Sequence, residues 1–174
     1  MTYHVLALDN VDKKAIELLE NVNGFKVTAG NLPREEVLKL IPDADAIVIR
    51  STTQADAELL SHATKLKAIA RAGVGVDNVD LDEATKRGVV VMNTPDGNTI
   101  ATAEFAFGLM LALARHIPTS YVSLSGGKWD KKSFVGVELR GKTLGLVGFG
   151  RIGRAVAKRA LAFDMTVIAY DPFI

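Results

Sequence analysis

The amino-acid sequence predicts an α/β protein, in which a doubly wound parallel sheet is followed by the first βαβ unit of a second, dinucleotide-binding domain. Three observations support this fold class. Apolar segments alternate with amphipathic segments through residues 5–92, as in parallel strands joined by crossover helices. A Gly-x-Gly-x-x-Gly turn at 148–153 follows an apolar run and opens a helix. An aspartate, Asp171, ends the next apolar run.

The first domain is predicted from five apolar runs of strand length. Turn signals such as Asn23-Gly24, and Pro33 at a helix start, separate these runs from the helical patterns. The predicted strands are residues 5–8, 25–28, 46–49, 66–70 and 89–92, and the predicted helices are 12–20, 33–40, 55–63 and 81–87. They imply a five-stranded parallel sheet, covered on both faces, over residues 1–98.

For the next region, residues 99–140, the sequence predicts a linking helix followed by an arm. Residues 99–115 are apolar on nearly all faces, so we expect this helix to be buried between domains or between subunits. Pro118 is expected to kink or end it. Residues 125–140 predict an exposed arm, and we interpret Trp129 in it as a packing or interface residue.

A sixth strand is predicted from the apolar run at 144–147, and the glycines after it have the pattern of a dinucleotide-binding turn. Gly148 permits the tight turn, Gly150 lets the backbone approach a pyrophosphate, and Gly153 lets helix and strand pack closely. The helix start around Arg151 and Ile152 supplies backbone N–H donors and the positive end of the helix dipole. We therefore predict cofactor binding at these five residues.

Asp171 lies 18 residues after Gly153, at the end of the next strand. There its carboxylate can accept both hydroxyls of an adenosine ribose, and it would repel a 2′-phosphate. The following residues 172–174 contain no Arg to reverse that preference, so NAD is predicted over NADP. The alternative interpretation is a turn acid before Pro172. A full sheet of this kind needs about six strands, so we expect residues 141–174 to be an incomplete domain.

The strand ends of the first domain carry groups that suit an anion, and ligands of open α/β sheets bind beyond such ends. Arg50 and Ser51 bring a guanidinium and a hydroxyl to one end. The N–H groups of Gly73, Val74 and Gly75 can form an anion nest at another. The alternative interpretation of Arg50 alone is a solvated or structurally paired cation, and that of the glycines alone is an ordinary loop. The three strand ends concerned are 50–52, 71–77 and 93–98.

Composition excludes several classes of function. The net charge is +1, from 21 basic and 20 acidic residues without a basic stripe, so no nucleic acid is expected. Cysteine is absent, which excludes disulfides and thiol catalysis, and no metal site is predicted. The longest apolar run, 105–114, is shorter than the ~20 residues that span a bilayer. No signal peptide is recognised, and we expect a cytoplasmic protein.

The chain closely resembles the D-isomer-specific 2-hydroxyacid dehydrogenases over essentially its whole length. The resemblance is most specific in RAGVGVDNVDLDEATKRGVVVMNTPDGN at 71–98, in GKW at 127–129, and in GVELRGKTLGLVGFGRIGR through YDP at 136–172. It implies a flavodoxin-like substrate domain over 1–98, a dimerisation arm within 99–140, and the start of a Rossmann domain over 141–174.

The resemblance also implies an activity. This is the oxidation of 3-phospho-D-glycerate to 3-phosphooxypyruvate, the first step of serine biosynthesis, with NAD as hydride acceptor, in a homo-oligomer that dimerises through its cofactor domains. Reduction of hydroxypyruvate or glyoxylate is the near alternative. By position, the resemblance implies substrate contacts at Arg50, Ser51, Gly73, Val74, Gly75 and Lys131, the last toward a phosphate, and cofactor contacts at Val74, Arg151, Ile152 and Asp171.

Catalytic residues are not predicted in this chain. The family's catalytic Arg, Glu and His lie downstream of the YDP strand. We interpret His4, His62 and His116 as solvated or capping residues. The chain alone is therefore expected to be inactive. The alternative to a dehydrogenase is a protein of a different functional class, a non-catalytic binding or dimerising module.

Overall fold

A computed structural model describes all 174 residues. The chain forms two compact units, Met1–Gly97 and Asn98–Ile174. The elements of the first unit are β1 (Tyr3–Ala7), α1 (Lys13–Glu20), β2 (Phe25–Ala29), α2 (Arg34–Leu40), a 3-10 turn (Ile41–Asp43), β3 (Ala46–Ile49), α3 (Ala57–His62), β4 (Ala68–Arg71), α4 (Leu81–Lys86) and β5 (Val90–Asn93). The observed bounds differ from the predicted ones by at most two residues at either end.

The five strands form one parallel sheet in the order β2-β1-β3-β4-β5. This is the strand order of flavodoxin-like sheets, so the predicted doubly wound fold is confirmed. Ile49 of β3, Arg71 of β4 and Asn93 of β5 are register partners. Because these three strands end level with one another, the loops that follow them begin side by side at one edge of the sheet.

The core of the first unit is the apolar sheet and the helices packed on it. Leu6, Ile47 and Ile69 on three neighbouring strands are fully buried, as are Leu59 and Leu60 of α3. Strands that read as continuous apolar runs are buried on both faces. This core fixes the positions of the strand ends.

Shortening one core side chain is expected to destabilise the first unit. Ile47→Val removes a single methylene from a site with no solvent exposure, and we expect the free energy of unfolding to fall by about 1 kcal/mol. Urea denaturation measures this change. The control Val22→Ala, at a side chain that is 43% exposed, should change it by less than about 0.5 kcal/mol. Equal effects of the two substitutions would contradict the observed core.

The second unit contains α5 (Thr99–Ala114), α6 (Ile117–Ser125), β6 (Thr143–Val147), α7 (Arg151–Ala162) and β7 (Thr166–Tyr170). β6 and β7 pair in parallel, which is the predicted βαβ unit. The helix α7 packs on α5, where Arg159 and Glu104 form an ion pair of 2.7 Å. The rings of Phe107 and Phe163 lie 4.8 Å apart between their centroids. A small core of its own thus holds the second unit together.

Residues 99–125 form two helices, where the sequence predicted one. His116 has a φ of 54° and separates α5 from α6, and Pro118 lies in the first turn of this second helix. Sequence reasoning missed α6, because proline was interpreted only as a break, although it is favoured at a helix start. Within its unit, α5 buries only Ala103 and Phe107. Burial of this helix between domains or between subunits stays a prediction. No single helix is long and apolar enough to cross a membrane; α5 and α6 together, bent by 61°, meet that length and composition.

Candidate functional site

The loop after β3 carries two of the predicted substrate residues. The side chains of Arg50 and Ser51 are exposed. By contrast, the loop backbone is bonded on both sides by side chains from elsewhere in the first unit, Asp9 and Asn78. Neither of these two residues was singled out from the sequence.

Asp9 follows β1 and binds the N–H side of the loop. Its Oδ2 accepts from the backbone N–H groups of Arg50, at 2.8 Å, and Thr53, at 2.9 Å. Its Oδ1 accepts from the Thr53 hydroxyl at 2.6 Å. Burial raises the pKa of the Asp9 carboxyl, but these hydrogen bonds outweigh it and hold the pKa below its ordinary value. Asp9 is therefore an ionised, buried acceptor for the loop.

The lowered pKa of Asp9 predicts a pH-dependent contribution to stability. The native pKa lies below that of the unfolded chain, about 3.9. The carboxylate therefore stabilises the native state above that pH, and the contribution is lost as the pH falls through the native pKa. Asp9→Asn is expected to lower the free energy of unfolding at pH 7 by about 1.5 kcal/mol. Urea denaturation from pH 7 to pH 3 should show this difference shrinking below about pH 4; a constant difference would contradict the assignment.

Asn78 binds the carbonyl side of the same loop. Its Nδ2 donates to the backbone oxygens of Arg50, at 2.8 Å, and Thr53, at 2.7 Å. The residue is 5% exposed, and its Oδ1 is buried without a hydrogen-bond partner. Asp9 and Asn78 thus each bond the first and the last residue of one four-residue loop, residues 50–53. In the sequence, Asp9 and Asn78 are each marked only by being a polar residue next to an apolar one in a predicted loop. This pattern is too common to identify a functional residue.

The glycine-rich loop after β4 carries the other predicted donors. The Gly73 carbonyl accepts from Thr94 N–H at 2.9 Å, and Asn93 Nδ2 donates to the Val74 carbonyl at 2.7 Å. The N–H groups of Val74 and Gly75, by contrast, donate to no acceptor within the first unit. They can therefore serve an anion, as expected of a nest.

Gly73 differs from its two neighbours. Its N–H donates to the Arg71 carbonyl at 2.8 Å, so this donor is already used in the structure. A Cβ at Gly73 would overlap only the Arg71 guanidinium, the far end of a flexible side chain, so packing does not by itself require glycine there. The donor of Gly73 is thus engaged within the loop, while its neighbours hold the unused donors.

Lys131 belongs to the second unit, whereas the other five predicted substrate residues belong to the first. Its Nζ lies 5.1 Å from the centroid of the Trp129 ring. Such cation–π contacts orient an ammonium group while leaving it charged and accessible. Trp129 itself is 75% exposed.

A cavity of 440 Å³ in the first unit borders the loop after β3 on Thr53 and Gln54, and also contacts Asp9 and Arg34. It contains none of the predicted substrate residues. The Arg34 guanidinium is paired with Asp56 at 2.8 Å. We therefore place the candidate anion site at the strand ends and not in this cavity.

The glycine-rich turn after β6 has a separate reason for each glycine. Gly148 has a φ of +99°, which side chains rarely adopt. A Cβ on Gly153 would overlap the Gly148 carbonyl oxygen, whereas a Cβ on Gly150 would meet no atom of the chain within 4 Å. No internal packing therefore requires glycine at 150. The helix α7 begins directly afterwards, at Arg151 and Ile152, with no side-chain cap.

Asp171 is bound to this turn. Its Oδ2 accepts from Phe149 N–H at 2.7 Å, and its Oδ1 accepts from Phe173 N–H at 2.9 Å. These two bonds lower the pKa of the Asp171 carboxyl, so it is ionised. The bond to Phe173 is the one that a turn acid before Pro172 makes, and the bond to Phe149 holds the carboxylate beside the glycines. A carboxylate oxygen retains lone pairs for further donors, so a turn role and a ribose role are compatible.

The donor set fits the adenosine and pyrophosphate part of a dinucleotide. Gly150 leaves the space that a Cβ would fill, the uncapped start of α7 presents N–H groups, and Asp171 supplies a charged acceptor. No group of three or more His, Asp or Glu side chains is placed to hold a metal ion. The fold and these two sets of residues define an α/β protein of the dinucleotide-binding class.

Comparisons with known proteins give the family. The model of the catalytic domain of D-isomer-specific 2-hydroxyacid dehydrogenases matches residues 5–170. The chain is 51% identical over 170 residues to a hydroxypyruvate reductase of Thermotoga maritima, covering 98% of this chain and 56% of the relative. It is also 51% identical over 170 residues to a D-3-phosphoglycerate dehydrogenase of Methanocaldococcus jannaschii, covering 98% of this chain and 32% of the relative.

A solved structure agrees with these sequence matches. The 3-phosphoglycerate dehydrogenase of Entamoeba histolytica with bound NAD⁺ superposes with a TM-score of 0.77 at 31% identity, covering 100% of this chain and 55% of that chain. The chain belongs to the D-isomer-specific 2-hydroxyacid dehydrogenase family, a family of oxidoreductases. It spans about a third to a half of the length of these relatives.

Proposed function

We propose that the protein carrying this chain oxidises 3-phospho-D-glycerate to 3-phosphooxypyruvate with NAD. The observation that carries the proposal is the set of anion-binding groups at the aligned strand ends of the first unit. Arg50 and Ser51 present charged and hydroxyl donors, and Val74 and Gly75 present unused N–H groups. This combination suits a 2-hydroxy acid, whose carboxylate accepts several hydrogen bonds at once.

NAD is the cofactor we propose for the second unit. When bound, it supplies the acceptor for the hydride that leaves C2 of the hydroxy acid, while the hydroxyl proton passes to a base. The turn at Gly148–Gly153 and the charged acceptor Asp171 support binding of its adenosine half. The NAD⁺ complex of the Entamoeba relative supports the same choice.

Hydroxypyruvate reduction is the second candidate, because the Thermotoga hydroxypyruvate reductase is as similar to this chain as the Methanocaldococcus phosphoglycerate dehydrogenase. The two substrates differ in the phosphate. We propose that Lys131, exposed and held beside Trp129, contacts that phosphate.

Steady-state kinetics of the protein at its natural length test both candidates. We expect NAD reduction with 3-phospho-D-glycerate. Lys131→Ala should raise the KM for this substrate about tenfold, the value of a hydrogen bond to a charged group, and leave the KM for hydroxypyruvate unchanged. The control is Lys158→Ala, at an exposed lysine of α7, and it should change neither of the two KM values. Turnover of hydroxypyruvate without turnover of phosphoglycerate would favour the second candidate.

Self-association through the second unit is a further part of the proposal. It is supported by large apolar side chains that this unit leaves exposed, among them Phe105 at 70%, Leu113 at 80% and Tyr121 at 71%. Monomeric proteins rarely expose extended apolar surface. Sedimentation equilibrium should show a dimer or a larger assembly, and a monomer at micromolar concentration would contradict this part.

A further inference from the structure

We propose that Asp9 and Asn78 are positioning residues, which hold the loop of residues 50–53 so that Arg50 and Ser51 meet the substrate anion in a preformed arrangement. This inference rests on the proposed function for the identity of the substrate. Asp9 and Asn78 lie outside the sequence-predicted site, and nothing about their residue types alone assigns them to it.

The hydrogen bonds of the two residues are complementary. Asp9 accepts from the N–H groups of Arg50 and Thr53, and Asn78 donates to the carbonyl groups of the same two residues. All four backbone polar groups at the ends of the loop are therefore bonded by just two side chains. A carboxylate only accepts, and the amide nitrogen only donates, so each residue type matches the side of the loop that it contacts.

The bonds connect parts of the chain that are far apart in sequence. Asp9 lies 41 residues from Arg50 and 44 from Thr53, and Asn78 lies 28 and 25 residues from them. Asn78 also follows the glycine-rich loop that holds the unused N–H groups of Val74 and Gly75. Fixing Asn78 to the loop after β3 therefore links the two sets of candidate substrate donors.

The burial of Asp9 points to the same loop. Asp9 has a φ of 60° and Asn10 a φ of 52°, the left-handed conformation that Asp and Asn adopt more readily than other residues with a side chain. Asp9 is only 8% exposed, and a buried charge is unfavourable unless it is hydrogen-bonded. The hydrogen bonds of its carboxylate all go to Arg50 and Thr53. A buried carboxylate that bonds only one loop is the observation from which we infer a role for that loop.

A fixed loop has a direct consequence for substrate binding. The side chains of Arg50 and Ser51 start from a backbone that is already ordered, so binding does not have to order it. If the loop were released, the same contacts would form at a greater entropic cost, and the reacting groups would be less well oriented. Loss of either positioning residue should therefore act through Arg50.

A double-mutant cycle in the protein at its natural length tests this dependence. The single variants are Asp9→Ala, Asn78→Ala and Arg50→Ala, and each of the first two is also combined with Arg50→Ala. Asp9→Ala is used because the amide of Asp9→Asn would keep an acceptor oxygen for the loop N–H groups. The readouts are kcat/KM for 3-phospho-D-glycerate, the Kd for NAD, and the amide hydrogen exchange of residues 50–53. Asp12→Ala is the matched control, because this exposed aspartate caps α1 and does not contact the loop.

Asp9→Ala and Asn78→Ala should each lower kcat/KM by about tenfold or more, mainly through KM. They should leave the Kd for NAD within about twofold, and cost less than about threefold in the Arg50→Ala background, since coupled residues are not additive. Asp12→Ala should have the kcat/KM of the unchanged protein. An equal loss in both backgrounds, or a Kd for NAD that rises in step with KM, would overturn the inference. Two variants are used so that one unstable protein does not remove the test.

The proposed function and this inference fail in different ways. If the unchanged protein oxidises no D-2-hydroxy acid with NAD, the proposed function is wrong. The positioning role is then decided by hydrogen exchange, where Asp9→Ala should speed exchange at the Arg50 and Thr53 amides at least tenfold over the Asp12→Ala control. Unchanged exchange at both amides would overturn it.

Discussion

Gly150→Ala is expected to weaken NAD binding by about 100-fold, while lowering the free energy of unfolding by no more than about 1 kcal/mol. The new Cβ would meet no atom of the protein, so the fold can accept it. It would instead enter the space through which the backbone approaches a pyrophosphate, and displacement of a bound group by about 1 Å can cost this much. The substitution therefore separates cofactor binding from stability.

Gly153→Ala is the matched comparison three residues later. Here the Cβ would overlap the Gly148 carbonyl oxygen, so the turn must shift and the free energy of unfolding should fall by about 1–3 kcal/mol. Titration with NAD and urea denaturation of both variants give the two quantities. Stability loss of equal size at Gly150 and Gly153 would contradict the proposed division of roles between these glycines.

Asp171→Ala is expected to weaken NAD binding by about 10- to 100-fold, the range for a hydrogen bond to a charged group. NADP should gain relative to NAD, because the charge that opposes its 2′-phosphate is removed. The structure adds a second effect, since Asp171 also accepts from Phe149 in the glycine-rich turn. Loss of this bond should loosen the turn and add to the loss of affinity for both cofactors.

Asp171→Asn separates the two effects. The amide keeps one acceptor oxygen for a turn N–H but removes the charge, so most of the gain of NADP relative to NAD should remain while the turn stays ordered. The dissociation constants of both cofactors are measured for each variant, with Glu138→Gln as a control for net charge. An unchanged ratio of the two constants in Asp171→Ala would overturn the ribose assignment and leave Asp171 a turn residue.

The secondary structure of the first unit could be predicted because it depends on local signals. An apolar run such as residues 46–49 favours a buried strand, whatever it packs against. An N-cap aspartate such as Asp56 favours a helix start, because its side chain accepts from a backbone N–H only three residues further along the chain. The glycine-rich turn is similarly local, and its required conformation at Gly148 is met by glycine. These features were therefore available before any tertiary contact was known.

Other features of the chain depend on distances that no local pattern encodes. His116 adopts a left-handed conformation and starts a second helix at a position where proline was expected only to end one. Asp171 presented two alternative roles in the sequence, whereas in the structure its two oxygens bond Phe149 and Phe173 at the same time. Only the pairing of β6 with β7 brings the acid to the glycine-rich turn.

Sequence alone was enough for the fold class, the strands and helices of the first unit, and the glycines and acid of the dinucleotide turn, because all of these follow from periodicity and backbone conformation. The flavodoxin-like arrangement of the strands was implied only by the resemblance to the family. Tertiary structure decided which groups at the strand ends are available. It left the Val74 and Gly75 donors unused, engaged that of Gly73, and brought Asp9 and Asn78 to one loop. The physical reason is that hydrogen bonds across 25 to 44 residues depend on the register of the parallel strands, and that register is set by packing of the whole sheet.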